Sequence, residues 1–114
     1  MSKLIGENLL MRIFIGENAR YAHQPLYEAL IELFRQEGFA GATVLRGLCG
    51  FGASRVWHSQ KLLDLSADLP LIVEVVESEA KINAIMPRID AMMGGGMITL
   101  EKATVIRYTP APER

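Results

Sequence analysis

Residues 41–52 read GATVLRGLCGFG, and the way this stretch is parsed decides the fold. Residues 43–48 have the β-branched and apolar character of a strand, which runs directly into the glycines at 47, 50 and 52. Glycine takes up positive φ without steric cost, so Gly47, Gly50 and Gly52 let the backbone turn sharply and approach another group closely. A strand ending in such a loop is a candidate binding site. It is neither a phosphate loop of the G-x-x-x-x-G-K-S/T type nor a dinucleotide fingerprint, because GLCGFG precedes no helix.

Upstream, residues 9–15 are β-rich and Gly16, Glu17 and Asn18 follow as a turn signal, which predicts a first strand. Pro25 suits the first turn of a helix. Leu26, Ala29, Leu30, Leu33 and Phe34 then recur at the spacing of one apolar helical face, and Gly38 supplies a C-terminal cap. Downstream, a long polar connection over residues 53–69 leads to Pro70 and a third strand at 71–76. Ser78 is a good N-cap for a second helix with Ile82, Ile85, Met86, Ile89 and Met93 on one face, and Gly94 is available to end it. Pro87 deletes the bond to the carbonyl of Asn83, so a kink or restart is expected there. Residues 97–108 form the last strand. The order βαββαβ predicts an α+β, ferredoxin-like fold, with two helices on one face of an antiparallel sheet.

At 114 residues and 50% apolar, the chain suits one domain with one core. The ordered part is expected at about 9–108, with loose ends at 1–8 and 110–114. Twelve basic residues against thirteen acidic ones, interspersed, leave no electrostatic footprint for nucleic acid. Single Cys49 cannot form an internal disulfide, and neither a secretory signal nor a membrane-length apolar run is present, which points to a soluble protein in the cytoplasm. The third strand bears on assembly. Leu71, Ile72, Val73, Val75 and Val76 make it apolar on both faces apart from Glu74, whereas a sheet with helices on one face should alternate. The second face needs a cover, and a homo-oligomer is the expected one.

With the strand order and the glycine stretch established, the chain resembles the PII-like superfamily of trimeric signalling proteins. Gly41-Ala42-Thr43-Val44, followed by Gly50-Phe51-Gly52, is similar to the PII strand that leads to the base of the long T-loop. Gly94-Gly95-Gly96 and then Ala103-Thr104-Val105-Ile106-Arg107 are similar to the PII B-loop and final strand. Arg46-Gly47, the GFG run, His58 and Leu65-Ser66-Ala67-Asp68-Leu69-Pro70 resemble more closely the PII-like family called domain of unknown function 190. The likeness covers about residues 9–108.

The resemblance implies a homotrimer with clefts between subunits that bind adenine nucleotides through backbone amides and basic side chains. Gly50, Gly52, Gly94, Gly95, Gly96 and Arg107 fall on matching positions. Met97 stands where the B-loop lysine would be and Thr109 where a second terminal-strand arginine would be, which leaves fewer cations than a triphosphate calls for. The 53–69 loop has no tyrosine, so modification of a T-loop tyrosine is not available. By the same analogy the regulated partner is a membrane transport protein, a warrant from fold alone.

The residues themselves leave several readings open. Consecutive glycines can present N–H groups to an anion, so residues 94–96 beside Arg107, together with Arg46, Gly50 and Gly52, form the expected ligand site; a plain cap and turn is the bland alternative. Arg55, Trp57 and His58 are effector-loop candidates, with packing at an interface the simpler role for Trp57. A metal-responsive trimer of the CutA type would use His58, His23 and Cys49, but none lies at a ligand spacing, and a buried structural Cys49 is the plainer reading. His23 is expected in the turn before Pro25, and Asp68 in the turn into strand three. A hydrolase would have to recruit Ser54 or Ser59, His58 and Asp64 or Asp68, with no nucleophile elbow to support it, so binding is expected rather than catalysis. A structural oligomer with an empty cleft completes the alternatives.

Overall fold

The computed structural model describes residues 2–52, 58–59 and 68–110, with 58–59 described by backbone alone. In chain order its elements are β1 (Ser2–Gly16), β2 (Arg20–Tyr21), β3 (Gln24–Pro25), α1 (Leu26–Gln36), β4 (Thr43–Arg46), β5 (Cys49–Gly50), β6 (His58–Ser59), β7 (Pro70–Glu77), α2 (Glu79–Met92) and β8 (Met97–Thr109). Four of these strands make an antiparallel sheet in the order β4-β7-β1-β8, the ferredoxin-like arrangement expected from the sequence. Alternate residues of the central strands, Met11, Ile13 and Ile15 on β1 and Leu71, Val73 and Val75 on β7, are buried against both helices. The five apolar positions read from the sequence of α1 are all buried, as are Ile82, Ile85 and Ile89 of α2.

The helix ends follow from local chemistry. After α1, Gly38 N–H donates to the Arg35 carbonyl at 3.2 Å and Phe39 N–H to the Phe34 carbonyl at 3.0 Å. This is a Schellman cap, and the Phe34 and Phe39 rings, 5.0 Å apart, supply its hydrophobic contact. At the start of α2 the Ser78 side chain accepts from Lys81 N–H at 3.3 Å.

Several expectations need correction. Residues 2–8 are not loose: they pair with β8 from Ser2 opposite Thr109 to Asn8 opposite Ala103. Residues 111–114 lie outside the described residues. The second main strand ends at Arg46, and Leu48 beyond it is 78% exposed. Helix α2 runs from Glu79 to Met92 without a restart at Pro87, which lies on the exposed side, where water can take the freed Asn83 carbonyl. Gly94 does not end that helix either. Met93 leaves it in extended conformation, and the positive φ of the glycine run falls on Gly96.

Among the described residues the sheet is open on the face opposite the helices. The strand register places Leu45, Ile72, Phe14 and Met97 side by side across all four strands. The next row is Thr43, Glu74, Arg12 and Thr99, where Arg12 pairs with Glu74 at 3.8 Å and with Glu101 at 3.2 Å. Strand β7 therefore alternates between a buried helix side and a half-buried open side, so the apolar residues on its second face have no cover within the described chain.

Candidate functional site

Three turns meet at one end of the sheet, because Gly16 lies opposite Pro70, Arg46 opposite Leu71 and Phe14 opposite Met97. The first turn, after β1, is clamped by the loop before β7. Asn18 N–H donates to Asp68 Oδ1 and Glu17 N–H to the Leu69 carbonyl, both at 2.8 Å. Asp68 thus lies in the turn into strand three, where the sequence put it. The second turn, after β4, is held by Gly47 N–H donating to the Pro70 carbonyl at 2.7 Å.

The glycines work differently from the sequence reading. Gly47 and Gly52 have no positive φ, and Gly50, at 159°, is close to fully extended. What Gly47 provides is close approach, since a Cβ there would stand 2.7 Å from Pro70 Cγ. The third turn, before β8, does need a positive φ: Gly96 sits at +97°, and a Cβ there would fall 2.4 Å from the carbonyl oxygen of Phe14.

Between the second and third turns lies a cleft of about 530 Å³, walled by Phe14, Gly50, Phe51, Gly52, Asp68 and Met97 and reaching Gly96. Gly16, Asp68 and Gly96 separate it from a second cleft of about 440 Å³, lined by Asn18, Arg20 and residues 94–96. Sequence reading found the glycines of both clefts. It missed Arg20, Asn18 and the role of Asp68, whose proximity is purely tertiary.

The expected cations are elsewhere. Arg46 is engaged by Glu17, with Nε 2.6 Å from Oε2 and Nη2 3.0 Å from Oε1, a pair that ties β4 to the first turn. Arg107 is not beside residues 94–96 in its own chain. Ten residues beyond Met97, it lies about 33 Å further along an extended strand. There it lines a depression of about 510 Å³ with Gly41, Thr43 and Glu74. Arg55 and Trp57 lie outside the described residues, as do Ser54 and Asp64, and of His58 and Ser59 only the backbone is placed, opposite Gly50 and Cys49. Cys49 is exposed rather than buried, because its two-residue ribbon is separate from the main sheet. His23 sits in the turn of the β2–β3 hairpin, and among the described residues no three His, Cys, Asp or Glu side chains gather as metal ligands.

Glu77, at the end of β7, joins the loop after α1 to the start of α2. Burial by itself raises a carboxyl pKa, but here it is outweighed by the N–H groups of Ser78 at 3.0 Å and Ala40 at 3.2 Å, and by the charges of Lys81 and Arg107. The net pKa is below its ordinary value. A depressed folded-state pKa means that the carboxylate stabilises the fold above the unfolded-state value, and that this contribution disappears as pH falls through the folded one. Glu77→Gln should cost about 1–2 kcal/mol at neutral pH, with the gap to wild type closing in acid. Urea denaturation at several pH values measures it.

Residues 8–105 match the sequence model of the family DUF190, described as an uncharacterized ACR. The chain belongs to that family. Among relatives of this DUF190 chain, a UPF0166 protein of Aquifex aeolicus is 36% identical over 97 residues, covering 85% of this chain and 91% of the relative. A UPF0166 protein of Methanocaldococcus jannaschii is 28% identical over 99 residues, covering 86% and 91%. Solved structures place the DUF190 chain in the PII-like fold. CPII, a nitrogen regulatory PII-like protein of Thiomonas intermedia K12 solved with ADP, AMP and bicarbonate, superposes with a TM-score of 0.60 at 15% identity, over 90% of this chain and 91% of that one. A PII-like protein of Thermus thermophilus gives 0.59 at 16% identity, with the same coverage. Among the described residues no helix of this DUF190 chain is long and apolar enough to cross a membrane.

Proposed function

We propose that this chain is a ligand-sensing PII-like protein. It forms a trimer through its open sheet face, holds an adenine nucleotide between neighbouring copies, and signals to a protein partner through the 53–69 loop. One observation carries the reading: Phe14 and Met97 belong both to the apolar row of the open face and to the wall of the 530 Å³ cleft. A second copy laid over that row would bury it and enclose the cleft in one step. The cleft offers glycine backbone to a phosphate, the rings of Phe14 and Phe51 to a base, and the Asp68 carboxylate as an acceptor for ribose hydroxyls. A simple anion would use only the first of these.

Arg107 enters as a phosphate partner only from a neighbouring copy, since it lies far from the cleft of its own chain. The binding of ADP and AMP by CPII, in the same fold, supports the choice of nucleotide. The loop acts as a switch if the ligand has different affinities for two of its states, with Arg55, Trp57 and His58 as its contacts to the partner. A membrane transport protein acted on from the cytoplasm is the partner class that fold analogy favours. The activity is binding without turnover.

Calorimetry on the purified protein tests this. ADP and AMP should release or absorb heat on binding, ATP should bind more weakly given Met97 and Thr109, and Arg107→Ala should reduce ADP affinity about 10- to 100-fold, the loss of a charge-assisted bond. Absence of binding by all three nucleotides would remove the nucleotide reading.

A further inference from the structure

The second cleft, the one on the far side of Gly16 and Asp68, holds a cation that neither the motifs nor the family likeness assigns. Residues 94–96 and Arg20 line the same 440 Å³ space. Most described arginines are committed to a carboxylate: Arg12 to Glu74 and Glu101, Arg35 to Glu32, Arg46 to Glu17, and Arg88 to Glu37. Arg107 lies near enough to Glu77 to lower its pKa. Among the described residues Arg20 has no carboxylate at ion-pair distance, and its side chain donates there from Nη2 to the His23 carbonyl at 2.9 Å.

That carbonyl is held in an unusual way. The β2–β3 hairpin closes through Ala22 at φ 48° and His23 at φ 66°, a left-handed pair without the glycine or asparagine that normally occupies it. The turn fixes the carbonyl, and the carbonyl fixes one nitrogen of the guanidinium. Arg20's own backbone is fixed too, opposite Pro25 in the hairpin. A guanidinium carries five N–H donors in a planar fork, so one bond to a carbonyl leaves the others available to an oxyanion. Ordering the side chain beforehand also lowers the entropy lost on binding.

We propose that Arg20, with the glycine backbone of residues 94–96, forms a same-chain subsite for an oxyanion, and that in the nucleotide reading given above this subsite takes a phosphate group. It supplies in cis one of the two cations missing at Met97 and Thr109, so a triphosphate still meets fewer charges than it calls for. Asp68 faces the same space, with its Oδ1 taken by Asn18 N–H, so the oxyanion sits toward Arg20 and away from that carboxylate.

The proposal rests on the nucleotide reading only for the source of the phosphate, and amide NMR of the full-length chain at constant ionic strength separates the two. Inorganic phosphate and ADP are titrated in turn into wild type, Arg20→Gln and Arg107→Ala. Inorganic phosphate should shift the amides of residues 94–96 in wild type and in Arg107→Ala, with affinity at least tenfold weaker in Arg20→Gln. ADP affinity should fall at least tenfold in Arg20→Gln as well. Arg20→Lys, which keeps the charge but not the fork, should recover part of the loss and shows that the variant sites are folded. If phosphate shifts these amides while ADP binds nowhere, the nucleotide reading fails and the subsite stands. If phosphate leaves residues 94–96 unmoved, or if Arg20→Gln matches wild type for both probes, the subsite is overturned, whatever ADP does at the other cleft.

Discussion

Replacing Ile72 by glutamate separates the proposed trimer into single chains while leaving each chain folded. Ile72 sits in the middle of the apolar row on the open face, between Leu45 and Phe14, and contributes nothing to the helix-side core. In an isolated chain the new carboxylate stays hydrated. In an assembled trimer each copy would bury a charge with no partner, and the effective penalty is several kcal/mol per ion. Arg12, in the next row of the same face, is already engaged by Glu74 and Glu101 and offers little relief. Sedimentation velocity should show wild type at three times the chain mass and Ile72→Glu at the mass of one chain, with unchanged far-ultraviolet circular dichroism. A variant that sediments with wild type would place the assembly surface somewhere other than the open sheet face.

The second large effect lies at Gly96. Alanine there must adopt a φ near +97° and also bring its Cβ into the carbonyl oxygen of Phe14, a backbone atom that cannot swing aside. Positive φ for a residue with a Cβ and a steric clash act together, so a loss of about 3 kcal/mol or more is expected. For a domain of this size that lowers the melting temperature by roughly 10 °C or more. The damage also reaches the site, because Gly96 borders both clefts. Gly95→Ala is the control: a Cβ there meets nothing within 4 Å and no positive φ is required, so its stability should stay near that of wild type. Thermal denaturation of the pair decides whether the glycine run is needed at one position, as the backbone indicates, or simply needs small residues throughout.

What could be read from the sequence was whatever repeats along one element. Leu26, Ala29, Leu30, Leu33 and Phe34 declare a helix face because the period of 3.6 is written in neighbouring positions, and all five are buried. The pairing of residues 2–8 was hidden, since Gly6, Glu7 and Asn8 interrupt the alternation and the strand exists only by virtue of β8 beside it. A run of three glycines does not reveal which one carries the positive φ; that is decided by the approach of Phe14 to Gly96.

Charge was the least legible property. Arg46 and Arg107 looked like site cations from their motifs, but whether an arginine is committed depends on carboxylates distant in sequence: Glu17 is 29 residues from Arg46. Arg20 stands in no motif, so nothing in the sequence marks it. The candidate clefts were therefore half legible, with their glycines visible in the sequence and their charged groups set by tertiary structure.

The most direct measurement is a crystal structure of the protein grown with ADP. Three copies should surround a threefold axis with their open sheet faces inward, and the nucleotide should lie against residues 50–52 and Gly96 of one copy, within reach of Arg107 from the next. A lattice in which the open face is bare to solvent, or in which the glycine turns pack on protein and ADP is bound elsewhere or nowhere, would contradict the shared cleft.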